Sequence, residues 1–301
     1  MMDARLERIG RLASLARGLE REGGYNGAKL VRAALERELV RYAEDRHPVG
    51  LEALGDAVAQ VREDLATEYP EAFLASLASA EAAAREGSTL ALDQAPAVRT
   101  CRVCGELFLG AEVPPACPTC ESPALSYREH LPIWFLEPAD PGTILAALAM
   151  GPGRIAPALA GRDDASLARP PAAGEWSVRE ALEHLLFAEQ LLAERVERLL
   201  VEDGPDLVSR ATWSETPASD EGSVRSGEAA SVLFDRFRDL RGRTVERLRG
   251  LDETAWGRAG QHPEWGRVTL LSQAAYFARH EASHLAQIVA AAQERVPGRR
   301  P

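Results

Sequence analysis

Lysine is almost absent from this chain: Lys29 is the only one in 301 residues, and the remaining basic side chains are arginine. The arginines are spread along the whole length and mark no patch. Acidic residues outnumber them, for a formal net charge of −11. A chain this acidic repels phosphate backbones and anionic headgroups, so neither nucleic acid nor a membrane surface is an expected partner. No run approaches the roughly 20 apolar residues that cross a bilayer. The opening MMDARLERIGRL is charged and helical in pattern, unlike a secretory signal with its apolar centre. Cysteine is scarce as well. All four cysteines fall in one motif, which leaves none for a disulfide framework. These absences predict a cytoplasmic protein.

Apolar residues make up 46% of the chain, enough for a core, and the length calls for two or three units. The pattern predicts a mainly α protein in three parts. Residues 1–95 read as helices: Leu30, Val31, Ala34, Leu35 and Leu39 recur at helical spacing between Gly27 and Tyr42. Further helical stretches run from Leu51 to Leu65 and from Ala72 to Ala84. No chemistry is concentrated there. The expected role is packing, against the rest of the chain or a second copy, so a homodimer is one expected assembly. Residues 96–130 turn to Val, Pro, Gly and Cys, as a small knuckled β unit would. Pro132, Pro138 and Pro141 mark a linker.

Residues 140–296 then carry four helical stretches and predict an antiparallel four-helix bundle. The first, Thr143 to Leu159, contains Pro152 and Pro157, which predict a kink or break. The second opens on Ser177-Val178-Arg179-Glu180, a capping-box sequence, and runs to Leu200. A polar loop over 202–226 holds Trp213. The third stretch is Glu228 to Leu248. A short turn from Gly260 to Gly266 leads into the fourth, Thr269 to Ala292.

Cys101-Arg-Val-Cys104 and Cys117-Pro-Thr-Cys120 form a CxxC…CxxC motif with twelve residues between the pairs. Two thiolates on each of two turns can close a tetrahedron around Zn or Fe, and sequence does not separate these metals. A closed tetrathiolate leaves no position for substrate, so a structural role is the simpler reading. The Cys-Pro-x-Cys half resembles the rubredoxin-like unit of rubrerythrins, which would imply iron and electron transfer. If the ribbon were the electron outlet of a rubrerythrin, the N-terminal helices would carry two Glu-x-x-His motifs, and they hold only Glu44-Asp-Arg-His47, at a helix end before a proline.

On the fourth helix, Leu270, Ala274, Phe277, Ile288 and Ala291 define an apolar stripe, and His280 and His284 project with it one turn apart. On the second, His184 sits between Ala181 and Ala188 on a stripe that includes Leu185 and Leu192. Buried imidazoles need partners. Either each is a core histidine bonded to a neighbouring group, or the three share a divalent metal, Zn, Ni or Fe. His280-Glu-Ala-Ser-His284 also matches the HExxH protease signature, with Glu281 as base. Glu281 falls about 100° round the helix from His280. Glu294 is the only acidic residue after His284, and no histidine follows to complete that site.

Gly174-Glu-Trp176-Ser177-Val-Arg-Glu-Ala-Leu-Glu-His184-Leu resembles the second-helix motif of the DinB-like superfamily. The closing motif of that family is similar to Gly260-Gln-His-Pro-Glu-Trp-Gly266 followed by His280-Glu-Ala-Ser-His284-Leu-Ala-Gln-Ile288. The resemblance covers about residues 140–295. It implies a four-helix bundle with a metal held by His184, His280 and His284. It also implies thiol-dependent S-transferase or isomerase activity of the kind that uses bacillithiol, mycothiol or glutathione. Small-molecule substrate and low-molecular-weight thiol are then the expected partners, with Trp213 and Trp265 as candidate pocket aromatics. No catalytic residue beyond the ligands is indicated. Two other readings stay open: a metal-stabilised binding or scaffold module, and a redox protein with an iron-loaded ribbon.

Overall fold

The structure is a computed structural model that describes residues 4–45, 53–208 and 227–293. His47, Trp213 and Glu294 lie outside the described residues. The chain forms two compact units, Met1–Ser88 and Thr89–Pro301, so the cysteine ribbon and the bundle belong to one unit.

The first unit contains α1 (Ala4–Arg21), α2 (Tyr25–Asp45), α3 (Leu54–Leu65) and α4 (Glu71–Arg85). α1 packs on α2 and α3 on α4, as two helical hairpins. Small residues make the closest approach: Ala28 is fully buried, and Gly55 leaves room for the Arg85 stem, which a Cβ would strike. Ion pairs Arg8–Glu38 at 3.1 Å and Arg62–Glu81 at 3.0 Å tie each pair across its seam.

The second unit begins with the ribbon. β1 (Val98–Cys101) lies between β2 (Leu107–Leu109) and β3 (Tyr127–His130), antiparallel to both. Two matching turns carry the cysteines. Cys101 N donates to Glu106 O and Gly105 N to Cys101 O; Cys117 N donates to Ser122 O and Glu121 N to Cys117 O. Both turns need a residue in the left-handed region. Gly105 meets this at φ 89°, whereas Glu121 adopts φ 59° despite its Cβ.

Four long helices follow: α5 (Pro141–Leu159), α7 (Val178–Val201), α8 (Ala230–Arg249) and α10 (Leu270–Ala292). The one-turn helices α6 (Asp164–Leu167) and α9 (Glu253–Trp256) lie in the connections. α5 packs beside α8 and α10, and α7 packs beside the same two, so α5 and α7 stand on a diagonal. Both expected stripes face this core, with Ala181, Leu185, Leu192, Leu270, Ala274, Phe277 and Ile288 buried. α7 starts as its sequence predicts. Glu180 N donates to Ser177 Oγ, and Ser177 N donates back to Glu180 Oε2 at 2.7 Å.

α5 runs unbroken through Pro152 and Pro157, where the sequence predicts a kink or break. Pro152 has no N–H for the carbonyl of Leu148, four residues back. Arg241 Nη1 on α8 donates to that oxygen instead, at 3.1 Å. α5 is also the one described helix long and apolar enough to cross a membrane, and its Ile144, Leu148 and Ile155 are buried in the bundle. The stretch 260–266 forms more than a turn. It is the hairpin of β4 (Ala259–His262) and β5 (Gly266–Thr269), which hands the chain to α10 through the Thr269 cap.

Candidate metal centres

His184 on α7 and His280 and His284 on α10 bring their rings together across the seam between the two helices. His280 Nε2 is 3.0 Å from His184 Nε2 and 3.1 Å from His284 Nε2. Three nitrogens held about 2.0–2.1 Å from one cation stand about 3–3.4 Å apart. His284 Nδ1 lies 2.9 Å from Gln287 Oε1, a carbonyl that takes its N–H and turns the Nε2 lone pair towards the other two rings. His280 Nε2 can carry one proton at most, and one proton cannot serve both contacts. A cation satisfies all three lone pairs at once, so the residues present fit a divalent metal.

Burial favours the neutral ligand form. It pushes His184 and His280 down to about 3, helped by the neighbouring imidazoles. His184 is buried, while His280 and His284 are partly exposed, so the cluster has a closed side and an accessible one.

Aromatic rings frame the cluster. Trp176, just before the α7 cap, lies parallel to His284 at 5.6 Å and edge-on to His184 at 5.0 Å. Tyr276 is parallel to His280 at 5.8 Å, and Phe135 meets the same ring edge-on at 6.4 Å. Phe135 belongs to the proline-marked linker, where a single 3-10 turn, Trp134–Leu136, packs on α10. Arg279 Nη1 fixes that turn by donating to the carbonyls of Phe135 and Glu137, both at 2.6 Å. Sequence reasoning left this wall out because a short linker turn has no periodicity. Trp265 stands one ring further away, stacked on His262 at 3.8 Å and tilted against Tyr276 at 4.6 Å.

Glu281 takes no part in the histidine cluster. It is buried between α10, α8 and α5, where it accepts from Arg241 Nη1. Gly151 lies against it, and a Cβ there would overlap the carboxylate. Arg241 Nε also donates to Glu189 Oε2 at 2.7 Å. Burial raises the Glu281 pKa and Arg241 opposes that shift. A glutamate locked into this triad is not a general base, so the HExxH match has no protease chemistry behind it.

The ribbon offers a second centre. Cys101 Sγ and Cys120 Sγ are 3.7 Å apart, Cys104 Sγ and Cys117 Sγ 3.6 Å, and all four lie within 4.8 Å of one another. Sulfurs at about 2.3 Å from one tetrahedral ion stand about 3.8 Å apart. Hydrogen bonds from the Ser122 side chain and backbone lower Cys120 to about 6.

Residues 147–288 match the family model of the DinB superfamily. This part of the chain is a DinB-like domain. The four clustered cysteines make the preceding segment a zinc-ribbon-like unit. Among solved structures, the chain is similar to YfiT from Bacillus subtilis, described as a probable metal-dependent hydrolase with an unusual four-helix bundle topology. That match has 23% identity and a TM-score of 0.43, and covers 51% of this chain and 86% of the other. A comparison with curated proteins finds no match.

The buried imidazoles of the DinB-like domain set a pH response in the metal-free protein. His262 is also held down, to about 4, first by burial and then by the charge of Arg195. An unfolded histidine titrates near about 6.5. The folded-state values lie below that, so the unfolded chain takes up protons first. Stability is full above about pH 6.5 and falls as the pH drops towards 4. Urea midpoints of the chelated protein between pH 7.5 and 4.5 should decline through this window; a flat profile would contradict these folded-state values.

Proposed function

We propose that the DinB-like domain is a divalent-metal-dependent enzyme that activates a thiol or water at His184, His280 and His284, with S-transferase or isomerase chemistry. The observation that carries this reading is the convergence of three Nε2 atoms, two of them on rings that burial keeps neutral, at a place with an accessible side. A divalent cation held by His184, His280 and His284 would supply Lewis acidity, which lowers the pKa of a thiol or water towards neutrality. The chain's own residues prepare that position. Gln287 sets the His284 ring, and burial keeps His184 a neutral ligand. Trp176 and Phe135 exclude bulk water from the flanks. No nucleophile from the chain is required, which suits a low-molecular-weight thiol and a small electrophilic substrate. In this reading the ribbon metal, Zn or Fe, is structural, because four sulfurs at tetrahedral spacing leave no open position.

The test is thiol conjugation to a chromogenic aryl halide, run with a panel of low-molecular-weight thiols and with the histidine site titrated by Zn, Ni or Fe. Activity should rise with occupancy of that site and disappear in a His280→Ala/His284→Ala variant that still folds. Activity that persists in the variant would overturn the mechanism.

A further inference from the structure

Away from the histidine cluster, the core of the DinB-like domain holds an arginine with no counter-ion among the described residues. Arg195 lies eleven residues beyond His184 on α7, about 16 Å along the helix axis. It is 5% exposed. Its Nη1 donates to Gln273 Oε1 at 2.8 Å and its Nη2 to Leu207 O at 3.2 Å. No carboxylate lies within ion-pair distance of it among the described residues. Its Nε–H has no acceptor there, and neither does Nε2 of Gln273, which is fully buried.

These groups are all donors. A guanidinium cannot shed its proton, and an unpaired buried charge is costly. The face of Phe277, 5.9 Å from the guanidinium carbon, offsets only a small part of that. His262 feels this charge: after burial, the Arg195 guanidinium helps to hold its pKa down, and Asp206 opposes that shift. The contrast with Arg241 is direct: the same residue type in the same bundle engages two carboxylates.

We propose that Arg195 and Gln273 form a binding site for a small monovalent anion of halide size, held by Arg195 Nε–H and the Gln273 amide. Leu207 N donates to Gln261 O, so the anion stabilises the junction of α7, α10, the 203–208 segment and the β4–β5 hairpin.

Bromide is the probe. Crystals of the full chain grown in sodium bromide should show an anomalous peak within hydrogen-bonding reach of Arg195 Nε and Gln273 Nε2. In Gln273→Glu the introduced carboxylate supplies the counter-ion, and the peak should vanish. In solution, chloride replacing a bulky organic anion at constant ionic strength should raise the wild-type Tm saturably, by roughly 5 °C. Gln273→Glu should show no such rise. Absence of bromide from the wild-type site, bromide that persists in Gln273→Glu, or a wild-type Tm indifferent to chloride would each overturn the proposal. The last measurement needs no variant to fold.

Discussion

Replacing Arg241 with alanine is expected to destabilise the protein by about 3–5 kcal/mol, because it strands two buried carboxylates. Arg241 Nε bonds Glu189, Nη1 bonds Glu281, and Nη1 also takes the Leu148 carbonyl that Pro152 leaves without its helical donor. The side chain therefore joins α5, α7, α8 and α10 at one point. Its removal leaves unmatched charge and an open carbonyl together. Arg241→Met with Glu189→Gln and Glu281→Gln removes all three charges and should recover much of the loss, since an apolar replacement of a buried ion cluster is often close to neutral. Urea unfolding of the single and triple variants measures both. A single variant within about 1 kcal/mol of wild type would show that the triad does not hold the bundle together.

Removal of the metal proposed for the ribbon should unfold residues 98–130 while the bundle stays folded. The ribbon has three short strands, and Cys101 and Cys117 are its buried hydrophobic residues. About thirty residues with so small a core cannot fold unaided. Structural zinc in comparable units contributes on the order of 10–16 kcal/mol, and it appears as folding energy. In Cys101→Ser/Cys117→Ser, amide exchange in β1, β2 and β3 should rise to unfolded-chain rates while α7 and α10 keep their protection. Retained protection in the ribbon would mean that packing on the rest of its unit, and not metal, folds it.

The bundle was legible in the sequence because its signals are local. The Ser177–Glu180 box fixes one helix start, and the stripes through Leu185 and Phe277 point at the core they occupy. The histidines ride on those stripes, and the structure brings all three together. What escaped the sequence depends on partners far along the chain. Unbroken α5 rests on Arg241, 93 residues after Leu148. The β4–β5 hairpin is two four-residue strands paired through backbone, which leave little periodicity to read. Glu281 falls between the histidine face and solvent on a helical wheel, and its pairing with Arg241 and the close approach of Gly151 on α5 show that this flank is core. Gln287, within reach of His284, has no motif of its own.

The claim that His184, His280 and His284 hold a metal separate from the ribbon's is tested most directly by counting metal. Elemental analysis of the purified chain beside a folded His280→Ala/His284→Ala variant should give about two metals per chain for wild type and about one for the variant. Equal metal content in the two would contradict the account and return the histidines to the core.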